Sequence, residues 1–166
     1  ISKPGERVNM RRMNIGYLAH LAREKGKIER EDVVGLHENF FNGEELWPPA
    51  ARALFDLLQA RLPACAEWND FIADAISHYM VDQLEPRGRL DDKNARFLEA
   101  MLSRDTVNWS AVDLSILVAT MNRAGAAPPR LQAFALQLSR ALLAAGRIGA
   151  EAQRAEEQKE ELAQAA

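Results

Sequence analysis

A single cysteine, Cys65, stands in a chain of 166 residues. One thiol cannot close an internal disulfide, so a reducing, cytoplasmic setting is the expectation. Its neighbours Ala64 and Ala66 read as a helix start, where a small apolar thiol packs rather than reacts. A nucleophilic thiolate would need a cation or a histidine close by, and the flanking sequence offers neither. Uninterrupted apolar runs of about 20 residues are missing, which excludes a membrane-spanning helix. The first residues lack a secretory pattern, and Ile1 in place of an initiator methionine indicates a trimmed chain.

An excess of either sign of charge is also missing, with 21 Lys and Arg against 24 Asp and Glu. The net value of −3 gives no reason to expect nucleic acid or an anionic membrane as partner. The basic residues Lys3, Arg7, Arg11 and Arg12 gather near the start, a solvated face on the simplest reading. Only three histidines occur, His20, His37 and His78, and none stands three or four residues from another His or Cys. No metal site is expected. His37-Glu38 does not open a zinc-protease motif, because Phe41 occupies the position of the second histidine. Ser77, His78 and Asp74 are close in sequence, but consecutive residues of a helix point about 100° apart, so Ser77 does not face His78. Glycine patterns that cradle phosphates or dinucleotides are missing too. These lacks leave the enzyme reading without a positive feature, and no cofactor is expected.

What the chain does have is helical periodicity and a match to itself. Shifted by 62 residues, Tyr17 falls on Tyr79, Gly26 on Gly88, Leu36 on Leu98, Trp47 on Trp109 and Arg61 on Arg123. Conservative pairs such as Ile28/Leu90 and Glu29/Asp91 fill the gaps, as a duplicated structural unit requires. Apolar residues recur at steps of three and four from Met10 to Leu21, from Val33 to Phe41, and from Ala50 to Leu58. The cycle restarts from Trp68 to Tyr79, continues through Ala95 to Leu102 and Val112 to Met121, and reaches Leu131 to Leu142. Gly26, Asn42-Gly43, Pro63, Pro86 to Gly88, Asp105 and Gly125 to Pro129 punctuate these segments. Asp91 suits a helix cap, and Pro48-Pro49 suits an opening turn.

The expected architecture is all-α: about eight short helices in one domain, arranged as a helical bundle or short superhelix. Two three-helix units cover about 9–62 and 71–124, and a partial third covers 129–166. The 149–166 segment, rich in Ala, Glu, Gln and Lys, reads as a polar terminal cap or as a frayed tail, and the loop before it, which copies the internal ones, favours the cap.

The recurring loop reads Gly-x-Ile/Leu-x-x-x-Asp/Asn, with Gly26, Ile28 and Asp32 in one copy and Gly88, Leu90 and Asn94 in the other. It looks like the second half of a calcium-binding EF-hand loop. The positions that should supply the earlier oxygen ligands hold Leu21, Arg23 and Lys25, then Gln83, Glu85 and Arg87. Cations there repel a divalent ion, so the loop reads as a connector between helices. Across roughly 25–145 the helix spacing and these loops resemble helical domains of the tellurite-resistance TerB type. That resemblance implies an all-helical domain that senses a metal or small ligand. Lys25-Gly26 and Arg87-Gly88 stand where that family has Asp-Gly. The stretch Glu85-Pro86-Arg87-Gly88 also resembles an uncharacterised bacterial family of all-helical proteins.

Trp47 and Trp109 each follow a break between helices, where an indole packs a helix start on its neighbour. They also suit the anchoring of a partner, together with Phe41, whose counterpart in the second unit is Ser103. The expected function is a non-catalytic protein-interaction module that binds another protein, a peptide helix or a second copy through grooves between units. The alternative is the TerB-like sensing domain.

Overall fold

Residues 4–40, 48–146 and 160–165 are described by the structure, a computed structural model, with side chains from Ile15 onward. Phe41, Trp47, most of the 149–166 segment and the side chains of the basic cluster lie outside the described residues.

The fold is all-α. In chain order the helices are α1 (Pro4–Lys25), α2 (Arg30–Phe40), α3 (Pro48–Gln59), α4 (Glu67–His78), α5 (Asp92–Leu102), α6 (Ala111–Ala124) and α7 (Pro129–Ala144). A π-helical turn, Tyr79–Gln83, prolongs α4, and a 3₁₀ turn, Ser103–Asp105, follows α5. Among the described residues the only strand-like pairing is a parallel bridge between Ile28 and Ala64. No helix there is long and apolar enough to cross a membrane.

Local chemistry accounts for the boundaries. Asp91 caps α5 by accepting from the Asn94 N–H at 2.8 Å. At α2 the bond runs the other way, from the Glu29 N–H to the Asp32 carboxylate at 2.8 Å. Ser110 and Asp113 form a full capping box at α6. Pro129 opens α7, where a missing N–H costs nothing. Gly26 and Gly88 have φ of 79° and 81°, the left-handed region where glycine alone is unstrained.

The helix start expected around Cys65 moves to Glu67. Pro63 cannot donate, and its carbonyl accepts from Ile28 N–H at 2.9 Å while Cys65 N–H donates to the Ile28 carbonyl at 2.9 Å. Those two bonds hold Ala64 extended and delay the helix.

Packing centres on α4. It lies against α6 and α2, while α1 lies against α3 and α2, and α7 covers α5 and α6. Ile72, Ile76 and Met80 from the α4 segment meet Leu36, Leu54, Leu57, Leu98, Ile116 and Leu117 in one continuous core. Each such side chain contributes about 1.5–3 kcal/mol on burial.

The halves share some features and differ in others. Ile28 and Leu90 are both buried, and α2 and α5 are both eleven residues long. Tyr17 is 60% exposed whereas Tyr79 is 7% exposed. The Gly26 N–H bonds back to Ala22, while the Gly88 N–H reaches Val81, across the cis Glu85–Pro86 bond.

Candidate functional site

The chain leaves α3 through Arg61, the one described residue other than glycine with positive φ, at 51°. That conformation costs roughly 1 kcal/mol for a residue with a Cβ. It turns the backbone into Leu62-Pro63-Ala64, which runs beside Ile28 and delivers the chain to α4. The same turn brings the Arg61 side chain to the start of α6. There its guanidinium grips Asp113 with both terminal nitrogens, Nη1 to Oδ2 at 2.6 Å and Nη2 to Oδ1 at 3.1 Å. The Asp113 side chain is completely buried and that of Arg61 is 18% exposed. Asp113 also accepts from the Ser110 N–H at 2.8 Å, so one carboxylate caps α6 and anchors α3. Arg61 Nε is buried and has no hydrogen-bond partner among the described residues.

Above this pair lies a cleft of about 400 Å³. Its apolar lining comes from Ile28, Leu57, Leu58, Trp68, Trp109 and Val112. Arg61, Ser110, Asn69 and Asn108 supply the polar part of the lining, and Leu62 and Ala64 complete it. Trp68 is held by Phe71 at 6.0 Å, and Trp109 meets Phe134 edge-on at 5.8 Å. The Trp109 indole N–H donates to the Leu102 carbonyl at 2.7 Å. Both indoles are therefore fixed walls. Because Arg61 and Asp113 cancel and the other polar side chains are neutral, the cleft favours uncharged, largely apolar occupants.

Of the three residues expected to anchor a partner, Trp109 lies in this cleft and is 6% exposed. Phe41 and Trp47 lie outside the described residues. The site also uses Trp68, which sequence reasoning placed on the apolar face of the fourth helix, and Arg61, noted only for its counterpart Arg123. The signal for Asp113 was present as Ser110-x-x-Asp113, a capping-box pattern.

The histidines are dispersed. His20 and His37 are exposed on α1 and α2. His78 packs edge-on to Phe40 at 5.8 Å, with Nδ1 2.9 Å from Asp82 Oδ2. Asp82 and Asp74 both hold Arg123, at 2.9 and 2.7 Å. Ser77 donates its hydroxyl hydrogen to the Asp74 carbonyl at 3.0 Å and accepts from Arg123 Nε at 3.2 Å, so its proton is directed away from His78. That network ties α4 to α6 through charge. Among the described residues no three or more His, Cys, Asp or Glu side chains gather to hold a metal.

In the first glycine loop the ammonium of Lys25 lies 2.5 Å from Asp32 and 2.9 Å from Glu29. Glu29 also meets Lys27 at 2.9 Å. Hydrogen bonds from Lys27 first and Lys25 second hold the Glu29 carboxyl down at about 2. Cys65 is partly buried, and burial pushes its thiol above the ordinary value. Burial also raises the Tyr79 phenol.

Comparison with protein-family models, with curated proteins and with solved structures finds no match.

Proposed function

We propose that this chain is a non-catalytic protein-interaction module, and that the cleft between α3, α4 and α6 receives an apolar side chain of another protein. The observation that carries the reading is a 400 Å³ cleft with two tryptophans as rigid walls and a neutral, hydrogen-bonding rim. Preformed walls lower the ordering cost of binding, and aromatic-lined pockets are where partner anchors gain most. The lone cysteine supports a reducing cytoplasmic setting, and the duplication of a three-helix unit is proposed as the origin of the repeated loops.

The test is affinity capture from the source organism with the wild-type chain and with Asn69→Trp, which fills the mouth from an exposed rim position. A protein retained by the wild type and lost by the folded variant supports the reading. Equal retention by both, or capture by neither, contradicts it.

The volume of the cleft also lies within the range of small-molecule sites, about 300–1,000 Å³. It favours, as a second reading, the sensing domain that the TerB resemblance implies. A small ligand held there raises the melting temperature of the wild type and leaves Asn69→Trp unmoved.

A further inference from the structure

The occupant of the cleft can be specified from the backbone beside it. Ile28 uses both of its backbone groups on the connection between α3 and α4, accepting from Cys65 N–H and donating to the Pro63 carbonyl. In an extended chain, successive residues direct their backbone groups to opposite edges. The N–H and C=O of Ala64 therefore face away from Ile28, and neither has a partner among the described residues. Ala64 is exposed and also lines the cleft. A donor and an acceptor on one exposed, extended residue, with no partner among the described residues, form a template for one more strand. Charge selects what the strand carries. The Arg61–Asp113 pair is self-neutralised, and Asn69, Asn108 and Ser110 are uncharged.

We infer that the cleft binds an extended peptide segment, which adds to Ala64 as a strand and inserts one large uncharged apolar side chain between Trp68 and Trp109. This rests on the interaction-module reading and narrows it. The peptide accepts from the Ala64 N–H and donates to the Ala64 C=O, so main-chain pairing supplies affinity in any sequence. The residue between the indoles supplies the selectivity, because a charged side chain would lose its hydration without a counter-ion. A helical peptide cannot bind in this way, since its own turns consume its backbone groups.

The test uses a random peptide display library panned on the intact protein. Ala64→Pro is the informative variant. It deletes the Ala64 N–H and removes neither bond of the bridge to Ile28, which uses the Pro63 carbonyl and the Cys65 N–H. Proline is tolerated on a strand edge. Enriched peptides should share one Trp, Phe or Leu anchor and lose about fivefold in affinity on the folded Ala64→Pro protein. N-methylation of the peptide residue opposite Ala64 should weaken binding to the unaltered protein by a similar factor, independently of how the variant folds. Asn69→Trp should abolish binding. Peptides that bind both proteins equally and survive N-methylation, yet are lost on Asn69→Trp, overturn strand addition and leave the interaction module standing. Failure to enrich any peptide, or enrichment of peptides indifferent to Asn69→Trp, overturns both.

Discussion

Replacing Arg61 by methionine should be among the costliest single changes in this chain, even though the residue it alters is not in the apolar core. The carboxylate of Asp113 is completely buried, and among the described residues the guanidinium is the only cation bonded to it. Methionine keeps most of the side-chain length and removes the charge. Asp113 then retains the Ser110 N–H at 2.8 Å and the hydroxyl at 3.3 Å, two neutral donors against a full negative charge. Breaking a buried ion pair from one side costs about 3–5 kcal/mol. The surviving cap places the expectation at the lower end, about 3 kcal/mol. Arg61→Gly should lose about 1 kcal/mol less than Arg61→Met, because glycine relieves the positive φ. In Arg61→Met/Asp113→Asn the charge is gone and the amide oxygen still accepts from Ser110, so the double variant should lie about 1–2 kcal/mol above Arg61→Met. Urea unfolding is the suitable assay, since guanidinium salts would screen the pair. A loss below about 1 kcal/mol for Arg61→Met, or strict additivity in the double variant, would refute the reasoning.

Other expectations concern the core, the loops and one carboxylate. Leu117 and Val118 are neighbours on α6, fully buried and 43% exposed respectively. Leu117→Ala should cost about 2–5 kcal/mol and Val118→Ala below about 1 kcal/mol, read from urea midpoints. Beyond the two chain neighbours, no atom of the described residues lies within 4 Å of a Cβ added at Gly26 or Gly88, so the cost of alanine there is conformational. Both variants should lose about 1–2 kcal/mol, and the proposed duplication requires the two losses to be alike. Glu29 should titrate near 2 by carbon-detected NMR, below its ordinary 4.5. A carboxyl lowered in the folded state contributes its stability above 4.5 and loses it as pH falls toward 2. Lys27→Gln should raise that midpoint and Arg30→Gln should move it less.

The helical layout was legible because its signals are local. Asp91, Pro129 and the left-handed Gly26 and Gly88 each act within a few residues of themselves, and α2 and α5 fall where the periodicity placed them. Ala64 was misread because its neighbours favour a helix, while the bonds that hold it extended come from Ile28, more than thirty positions earlier in the chain. The π-helical turn at Tyr79–Gln83 left no mark in an apolar pattern that continues through it. The cleft was legible only in part. Trp109 stood out by its position after a break, but Arg61 and Asp113 are joined by folding across 52 positions. Periodicity carries no information about such a pair. Even the capping motif at Ser110 foretold only half of what Asp113 does.

The most direct measurement is backbone and indole NMR mapping of the protein with a bound peptide from the display selection. The account predicts the largest changes at the Ala64 N–H and at the indole N–H groups of Trp68 and Trp109, with contacts from the peptide backbone to Ala64. Changes confined to the outer face of α7, where Leu136 and Leu143 are exposed, would contradict it.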